Sequence, residues 1–366
     1  MLETRTDLEG VIIVGGGPAG LIVARELAGM GLEVDVYTSE QEIGERAAYA
    51  SGILSAKAVS NLGLDVSASI KNSFNAASFH FSNTDFTVKS ESAKAFLLDR
   101  KNLSKQLASA AMKSGARIFT NRRMSKELLV ELSANHIIVG ADGAVSTVAS
   151  TFGFPPIERY VLTYKAEYKL KEPLQDKSKV EIFFSRHAKG FFGWLAPHSY
   201  NKIEVGIGID SVFRTSSKSA FSNLISGLGI DGEVCSEYAS LIPLSFRRKT
   251  AKGNVLLVGD AAGQTKASTG GGIAFNTVAA RLAASSIYEF LSGKKDTIEY
   301  EKKWKRALLT DMRIHSFINR AYSSPSFEFM VKLLKIAGME KALSNYGNMD
   351  SPSDTIKRII LRRKMQ

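Results

Sequence analysis

A glycine-rich turn directly after an apolar strand is the feature that most constrains the fold of this chain. Residues 10–14 are apolar, residues 15–20 have the sequence Gly-Gly-Gly-Pro-Ala-Gly, and residues 21–30 show helical amphipathic spacing. An alternating strand follows at 32–37. The G-x-G-x-x-G pattern is weak alone but informative between a strand and a helix. It predicts a Rossmann-like βαβ unit, and a purely structural turn is the less favoured alternative.

Each glycine of this turn has a separate expected role. Gly15 makes the tight turn, Gly17 lets a pyrophosphate approach the backbone, and Gly20 lets the helix pack on the strand. Unpaired N–H groups and a partial positive charge are expected at the helix start around Ala19. The turn therefore predicts a binding site for a dinucleotide phosphate.

The end of the second strand departs from the usual pattern. An acidic residue commonly stands there and binds the adenosine ribose. This chain has Thr38 at that position and Glu40 two residues later. Glu40 can reach the ribose hydroxyls from the loop, and Thr38 can offer a neutral hydrogen bond. Both stay open as ribose-binding residues.

The chain leaves the first sheet and returns to it twice. Apolar strands at 136–140 and 254–258 return to it. A period-two pattern between 73 and 98 predicts a hairpin in a second sheet, strand-like runs between 161 and 209 predict that this sheet is antiparallel, and a long helix is predicted from about 272 to 292. The predicted fold class is α/β, with a Rossmann-like domain interleaved with an antiparallel-sheet substrate domain, plus a helical C-terminal region. The predicted boundaries are 1–72, 97–155 and 250–295 for the nucleotide-binding domain, 73–96 and 156–249 for the substrate domain, and 296–366 for the helices.

The glycine turn and two later motifs together resemble the flavoprotein family that contains para-hydroxybenzoate hydroxylase. The later motifs contain Asp142 and the pair Gly259-Asp260. The resemblance implies FAD as the cofactor, with Asp260 on the ribityl chain and Asp142 and Gly259 in the same site. It also implies that Arg100, which opens a helix, touches the cofactor. A helix cap is the alternative for either aspartate alone, and a surface helix start is the alternative for Arg100.

Three other segments resemble geranylgeranyl reductases, which belong to the same group of flavoproteins. Residues 192–197, followed by the glycines at 206 and 208, resemble a Tyr-x-Trp-x-Phe-Pro…Gly-x-Gly signature. Phe192 replaces its tyrosine, and Ala196 replaces its second aromatic residue. Residues 49–55 resemble a segment that normally has a cysteine, where this chain has Ala50.

The third segment is a glycine run that these reductases carry beside the flavin. The resemblance implies that its residues bind the cofactor: Gly270, Gly271, Gly272 and Ile273. The whole resemblance implies saturation of geranylgeranyl chains in archaeal-type membrane phospholipids, with a prenylated quinone as the next substrate to consider.

Reduction of a prenyl double bond needs an apolar tunnel that excludes water, a hydride from the flavin and a proton. Aromatic residues are expected to line this tunnel, although aromatic residues on a sheet are more often plain core. The expected lining residues are Trp194, Phe191, Phe192, Phe183 and Phe184. Because the cysteine is missing, Tyr49 or a water is expected to deliver the proton.

Two other functions stay open at this point. An aromatic monooxygenase shares the FAD domain, and a lipid carrier that has lost catalysis is suggested by Ala50 and Ala196. The sequence leaves the electron donor open among reduced ferredoxin, NADPH and a reduced deazaflavin, because this fold has no separate nicotinamide domain whose motif would identify it. A quinone oxidoreductase with a cysteine-bound cluster is disfavoured, since Cys235 is the only cysteine.

Composition predicts location and partners. The net charge of +12 favours an anionic partner. Basic residues flank apolar ones between Lys357 and Lys364, as on a helix at an anionic membrane, although a solvated helix face is an equal alternative. With a lipid substrate, this predicts a cytoplasmic protein that is peripheral on the membrane and binds no nucleic acid.

The five histidines show no metal-ligand spacing, so no metal is expected. His198, beside the Trp194 motif, is the one histidine for which a contact with a lipid head group is considered.

Overall fold

A computed structural model of the chain describes residues 8–293 and 296–363. The outermost residues of the predicted nucleotide-binding domain, 1–7 and 294–295, lie outside the described part. Lys364 of the predicted basic cluster also lies outside it.

The described residues contain sixteen strands. In chain order they are β1 (Gly10–Val14), β2 (Val34–Tyr37), β3 (Ile53–Ser55), β4 (Ile70–Phe74), β5 (Ala76–His80), β6 (Asp85–Lys89), β7 (Ala95–Leu98), β8 (Arg117–Phe119), β9 (His136–Gly140), β10 (Tyr160–Leu170), β11 (Lys179–Phe183), β12 (Gly193–Pro197), β13 (Lys202–Asp210), β14 (Gly232–Pro243), β15 (Ala251–Lys252) and β16 (Val255–Leu257).

The same part of the chain contains eleven α-helices. They are α1 (Pro18–Gly29), α2 (Ala56–Asn61), α3 (Arg100–Lys113), α4 (Lys126–Leu132), α5 (Thr147–Thr151), α6 (Ser217–Leu228), α7 (Ile273–Leu291), α8 (Ile298–Ala321), α9 (Phe327–Ile336), α10 (Met339–Tyr346) and α11 (Pro352–Arg363).

A six-stranded sheet forms the first layer, in the order β15-β16-β9-β1-β2-β8. All neighbouring strands in this sheet run parallel to each other except β15 and β16, which form an antiparallel pair. Its central strands are nearly continuous apolar runs because helices cover the sheet, and α1 packs on it through Leu21 and Ile22, which are fully buried. The sheet draws strands from three separate parts of the chain, so the predicted interleaving is confirmed.

A seven-stranded sheet forms the second layer, in the order β14-β10-β13-β12-β11-β5-β6. Its pairs are antiparallel except β11 with β5. The predicted hairpin is present, with Phe79 opposite Phe86. The predicted α/β fold class, with a parallel sheet, an antiparallel sheet and a helical C-terminal region, is confirmed.

Several elements were not predicted from the sequence. A third, three-stranded sheet joins β3, β7 and β4. The long edge strand β14 was also missed, because most of its residues are exposed or only half-buried and its sequence lacks a clean apolar alternation.

The C-terminal helices cover the other edge of the antiparallel sheet. The backbone N–H of Thr87 in β6 donates to the Glu340 carboxylate at 2.7 Å, and that of Lys89 donates to the Ser344 hydroxyl at 3.0 Å. Side chains of α10 thus satisfy edge groups that would otherwise be open to another strand. α8 instead packs on the first layer through Tyr300 and Trp304, which are fully buried.

Candidate functional site

The glycine turn between β1 and α1 has the geometry that a nucleotide phosphate requires. Gly15 has a φ of +117°, and a Cβ there would lie 2.2 Å from the carbonyl oxygen of Ala141. A Cβ on Gly20 would lie 2.2 Å from the Gly15 oxygen. A Cβ on Gly17, in contrast, would meet nothing within 4 Å. Gly15 and Gly20 are therefore needed by the fold, whereas the space beside Gly17 is open to a ligand.

The N-terminus of α1 faces this space with its backbone amides free. Gly17 is the N-cap residue, and no side chain from residues 8–293 or 296–363 caps the helix. The N–H groups of the first turn and the helix dipole therefore suit a diphosphate. Ala19 is buried in this turn, and its methyl group would lie 2.8 Å from a Cβ on Gly259. The predicted residues Ala19 and Gly259 thus lie in contact, where the motif after β16 meets the first turn of α1.

The two ribose candidates lie on the loop that follows β2. Thr38 is buried against the glycine turn, and its Cβ would lie 3.1 Å from a Cβ on Gly16. The Glu40 carboxylate accepts the N–H of Gly44 at 3.0 Å and the N–H of Arg46 at 3.3 Å. Two backbone donors thus orient Glu40, and each of its oxygens keeps a lone pair for another hydrogen bond.

Asp142 uses its carboxylate within its own turn. It accepts the Ser146 hydroxyl at 2.6 Å, the N–H of Thr147 at 2.6 Å and the N–H of Val148 at 3.1 Å. It therefore binds the first free N–H groups of α5 and fixes the loop whose Ala141 carbonyl lies against Gly15 of the glycine turn. A direct contact between Asp142 and FAD stays a prediction.

Arg100 and Asp260 form the charged centre of the site. Arg100 begins α3, and its Nε is buried with no hydrogen-bond partner among the described residues. Burial lowers the pKa of Arg100 to about 10, opposed by the negative charges of Asp260 and Glu204. Burial also raises the pKa of the Asp260 carboxyl, opposed by Arg100. A half-buried arginine with a buried, unused Nε donor, whose charge acts on a half-buried carboxylate, is suited to the carbonyl and hydroxyl groups of a flavin nucleotide.

The glycine run lies against Asp260. A Cβ on Gly272 would lie 3.1 Å from the Asp260 carboxylate, and one on Gly271 would lie 2.8 Å from Cε of Lys266. Gly270 has a φ of +71°. Ile273 is buried and begins α7, whose N-terminus has no side-chain cap. A second helix N-terminus with free amides therefore faces the same site, where it suits negative charge on a reduced flavin. These residues and those around Gly17 and Arg100 fit FAD.

Two glycines of the antiparallel sheet explain the spacing of the aromatic motif. Trp194 in β12 pairs with Gly206 in β13, and a Cβ on Gly206 would lie 2.2 Å from the indole ring. A Cβ on Gly208 would lie 2.4 Å from the ring of Phe191. Each glycine therefore lets one aromatic ring lie directly on the strand, which no larger residue would permit.

An aromatic row connects this sheet to the glycine run on one side and to α9 on the other. Phe191 lies 3.4 Å from the Cβ that Gly270 would carry. The ring centroids of Phe191 and Phe192 are 4.2 Å apart, those of Phe192 and Phe184 are 6.0 Å apart, and those of Phe184 and Phe327 are 5.3 Å apart. We call Phe191, Phe192, Phe184 and Phe327 the aromatic row. It begins beside the glycine run and ends on the first residue of α9.

Two residues predicted to act with Trp194 lie elsewhere. Phe183 points to the opposite face of the sheet, where its ring stacks on His80 at 5.1 Å, so its predicted place in the same tunnel is wrong. The alternation of β11 explains this, because Phe183 and Phe184 are neighbours and face opposite sides. Tyr49 is 42% exposed and lies 5.4 Å from the ring of Tyr238, and the structure does not bring it to the aromatic row.

A buried ion pair beneath Trp194 was missed by the sequence reasoning. Lys165 in β10 donates to Glu204 in β13 at 2.7 Å, and both side chains are at most 4% exposed. Glu204 also accepts the indole N–H of Trp194 at 2.8 Å, and Lys165 donates to the carbonyl oxygen of Ala50 at 2.9 Å. The only sequence signal was a charged residue at an inward position in each of two apolar strands. The pair joins the Trp194 motif to the segment where the reductases have a cysteine.

His198 extends this cluster. Its two ring nitrogens are buried and have no hydrogen-bond partner in the part of the chain that the structure describes, and Nε2 lies 4.0 Å from the Glu204 carboxylate. Burial lowers the pKa of His198, so the ring is neutral near pH 7. Glu167, His198 and Glu204 could together present ligand atoms to a metal. However, Lys202 and Lys165 already neutralise the two carboxylates at 2.5 and 2.7 Å, which disfavours a dication there.

Comparisons with known proteins agree with this geometry. A family model described as an FAD binding domain matches residues 9–299. The digeranylgeranylglycerophospholipid reductase of Methanosarcina acetivorans is 25% identical, over 86% of this chain and 85% of its own. A geranylgeranyl bacteriochlorophyll reductase-like structure from Thermoplasma acidophilum is 20% identical with a TM-score of 0.80, covering 96% of this chain and 95% of its own.

The fold itself is shared with enzymes of another chemistry. The p-nitrophenol 4-monooxygenase of Pseudomonas putida is 17% identical with a TM-score of 0.66, over 98% of both chains. The fold therefore does not distinguish a reductase from a monooxygenase. The predicted FAD cofactor and the resemblance to geranylgeranyl reductases are both confirmed.

Proposed function

Because the chain belongs to the FAD binding domain family and is an FAD-dependent oxidoreductase, we propose that it saturates carbon–carbon double bonds in the geranylgeranyl chains of a membrane phospholipid. The observation that carries this proposal is the position of Phe191, which lies on the antiparallel sheet and against Gly270 of the glycine run. An apolar surface thus begins directly beside the predicted flavin site. A prenyl chain lying on that surface would have its double bonds next to the cofactor.

The chemistry of the surroundings supports an alkene substrate. FAD, once reduced, supplies a hydride to carbon. The aromatic row and Trp194 supply apolar contacts and exclude water, which suits a hydrocarbon chain. A phenol hydroxylase would instead need polar groups that orient and deprotonate a small aromatic substrate. The surface from Phe191 to Ala196 is apolar apart from the indole N–H, which is already bound to Glu204.

Alkene reduction also requires a proton for the second carbon. Lys165 is a buried acid that contacts the backbone of Ala50, and Glu204 holds its ammonium group. We propose that Lys165 Nζ holds this proton. This assignment replaces Tyr49, which lies at the surface.

The test uses enzyme reduced with dithionite under anaerobic conditions, which makes the result independent of the natural electron donor. Mixed with a geranylgeranyl phospholipid in detergent, it should become reoxidised while the lipid gains about two mass units per saturated bond. Flavin absorbance and lipid mass spectrometry give the two readings. Trp194→Ala should slow this reaction about tenfold or more with FAD still bound, because the indole shapes the substrate surface and not the nucleotide site.

Phe183→Ala is the matched control, because it removes an aromatic ring from the opposite face of the same sheet. Its rate should equal that of the wild type. Reduced enzyme that ignores every prenyl lipid but hydroxylates an aromatic compound when oxygen is admitted would replace this proposal with the monooxygenase alternative. Tight lipid binding with no turnover under either condition would favour the carrier.

A further inference from the structure

Helix α9 presents large apolar side chains to solvent along most of its length. The exposed fractions are 63% for Phe329, 49% for Leu333 and 83% for Ile336, and Met330 and Leu334 are 42% and 40% exposed. These five residues occupy positions i, i+1, i+4, i+5 and i+7, so they form one continuous stripe, which we call the α9 face. Val331 is the one buried apolar residue among the last eight of the helix. Contiguous exposure of this kind marks a surface that contacts something apolar.

The α9 face is continuous with the aromatic row. Phe327, the first residue of α9, lies 5.3 Å from Phe184 and 5.7 Å from Phe81, measured between ring centroids. The row continues through Phe192 to Phe191 beside the glycine run. The α9 face is therefore connected to the predicted flavin site by a continuous series of packed aromatic side chains.

The charges around the face favour an anionic bilayer over a protein partner. Lys332 and Lys335 lie on the same helix, where Lys332 is 3.7 Å from Glu328 and Lys335 donates to the Asp85 carbonyl. The helix α11 adds exposed Ile360 and Leu361 next to its basic residues. Apolar residues bordered by lysines are typical of helices that lie in a membrane interface. Among residues 8–293 and 296–363, no helix has the length and apolar character needed to cross a bilayer.

We propose that the α9 face docks on an anionic lipid bilayer and passes a prenyl chain from the membrane to the aromatic row. This inference rests on the proposed function for its substrate but not for the docking itself. It moves the main membrane contact from the basic cluster that begins at Lys357 to the apolar face of α9. Apolar burial then supplies most of the affinity, and the basic residues add to it.

The test compares binding to vesicles of mixed phosphatidylcholine and phosphatidylglycerol. The double variant Phe329→Asp/Leu333→Asp should bind these vesicles more than about tenfold more weakly than the wild type, because burial of each side chain is lost and two negative charges are added. Flotation of the FAD-bound protein measures this. Val130→Asp/Val212→Asp is the matched control, since these valines are 55% and 58% exposed and lie outside α9. It should float like the wild type.

Two substrate forms separate docking from chemistry. With the lipid embedded in vesicles, the α9 double variant should lose most of its reductase rate. With the same lipid dispersed in detergent, its rate should equal that of the wild type. Normal docking with no lipid reduction in any form would overturn the proposed function and leave docking intact.

The remaining outcomes would overturn docking. Unchanged flotation of the α9 double variant would do so directly. A second outcome would also overturn docking: neither protein floats, and sedimentation shows a dimer for the wild type but not for the α9 double variant. The α9 face would then bind a second copy of the chain. Truncation after Ile356 should weaken flotation only modestly and mainly at low salt. A larger effect from truncation than from the α9 double variant would assign the main contact to the tail instead.

Discussion

The cofactor half and the substrate half of this molecule are built by different means. The cofactor half depends on backbone geometry over short stretches of sequence, such as the turn at Gly15 and the glycine run before α7. The substrate half depends on side chains that come from distant strands. Lys165 and Glu204 are 39 residues apart, and Lys165 and Ala50 are 115 residues apart. Local backbone requirements leave a pattern in the sequence, whereas a contact between distant side chains leaves almost none.

The largest expected effect separates two glycines of the same turn. Gly15→Ala should destabilise the protein by more than about 4 kcal/mol or prevent folding, because its φ of +117° and the 2.2 Å contact with Ala141 exclude a side chain. Gly17→Asp should instead stabilise the apoprotein by roughly a few tenths of a kcal/mol, because Gly17 has an extended N-cap conformation that aspartate favours slightly more than glycine. Urea unfolding of the apoprotein measures both changes.

At Gly17, the change to aspartate should weaken FAD binding although it raises the stability of the apoprotein. The aspartate places a negative charge and extra volume where the diphosphate is expected, so Gly17→Asp should abolish FAD binding. Gly17→Asn is the neutral control, because it caps the helix without the charge and should retain more affinity than Gly17→Asp. Normal FAD content in Gly17→Asp would show that the diphosphate lies elsewhere.

The second effect belongs to the substrate half. Glu204→Gln should destabilise the protein by about 3–5 kcal/mol, because it leaves the buried Lys165 ammonium without its counter-charge. The double change Lys165→Met/Glu204→Leu should cost less than the single one, since neither charge is then buried alone. FAD should remain bound in both. Additive losses in the double variant, measured by urea unfolding, would show that the two residues do not act as a pair.

The same division explains how much could be predicted. The parallel sheet, the hairpin at β5 and β6 and the glycine-run helix were predicted because each has a local period or turn signal. The edge strand β14 was missed because it buries little. Phe183 was placed on the wrong face because the aromatic residues were grouped by type without applying the strand alternation. The buried pair of Lys165 and Glu204 was missed because charged residues in a sequence are normally assigned to the surface.

A third prediction tests whether the cofactor half also depends on a distant contact. His315 in α8 lies 2.6 Å from the Ser268 hydroxyl, next to the glycine run, and burial lowers its pKa to about 4. The unfolded chain then binds more protons than the folded one between about pH 6.5 and pH 4, so stability falls as the pH falls through that window. His315 should account for about 2 kcal/mol lost between pH 7 and pH 5.

His315→Asn isolates this contribution, because asparagine can keep a hydrogen bond to Ser268 but does not titrate in this range. The loss of unfolding free energy between pH 7 and pH 5 should be smaller in the variant by about 2 kcal/mol. Other titrating groups contribute equally to both proteins and cancel in the difference. An identical acid response in the two proteins would mean that His315 is not kept neutral by the fold.

The smallest expected effect concerns the one position of the cofactor half where the sequence pattern fails. We expect Glu40, and not Thr38, to bind the adenosine ribose. The Glu40 carboxylate is charged and already oriented by two backbone donors, and hydrogen bonds to charged groups are stronger than those to neutral ones. Glu40→Gln should therefore weaken FAD binding about tenfold, or about 1.4 kcal/mol, as measured by flavin fluorescence titration. Thr38→Val, which removes only the neutral hydroxyl, should weaken FAD binding less than about threefold.

Because Gln keeps only one acceptor oxygen for the Gly44 and Arg46 amides, the stability of each apoprotein has to be measured as well. A fall in apoprotein stability with unchanged FAD affinity would give Glu40 a purely structural role in its loop, and a larger effect at Thr38 would assign the ribose to the threonine.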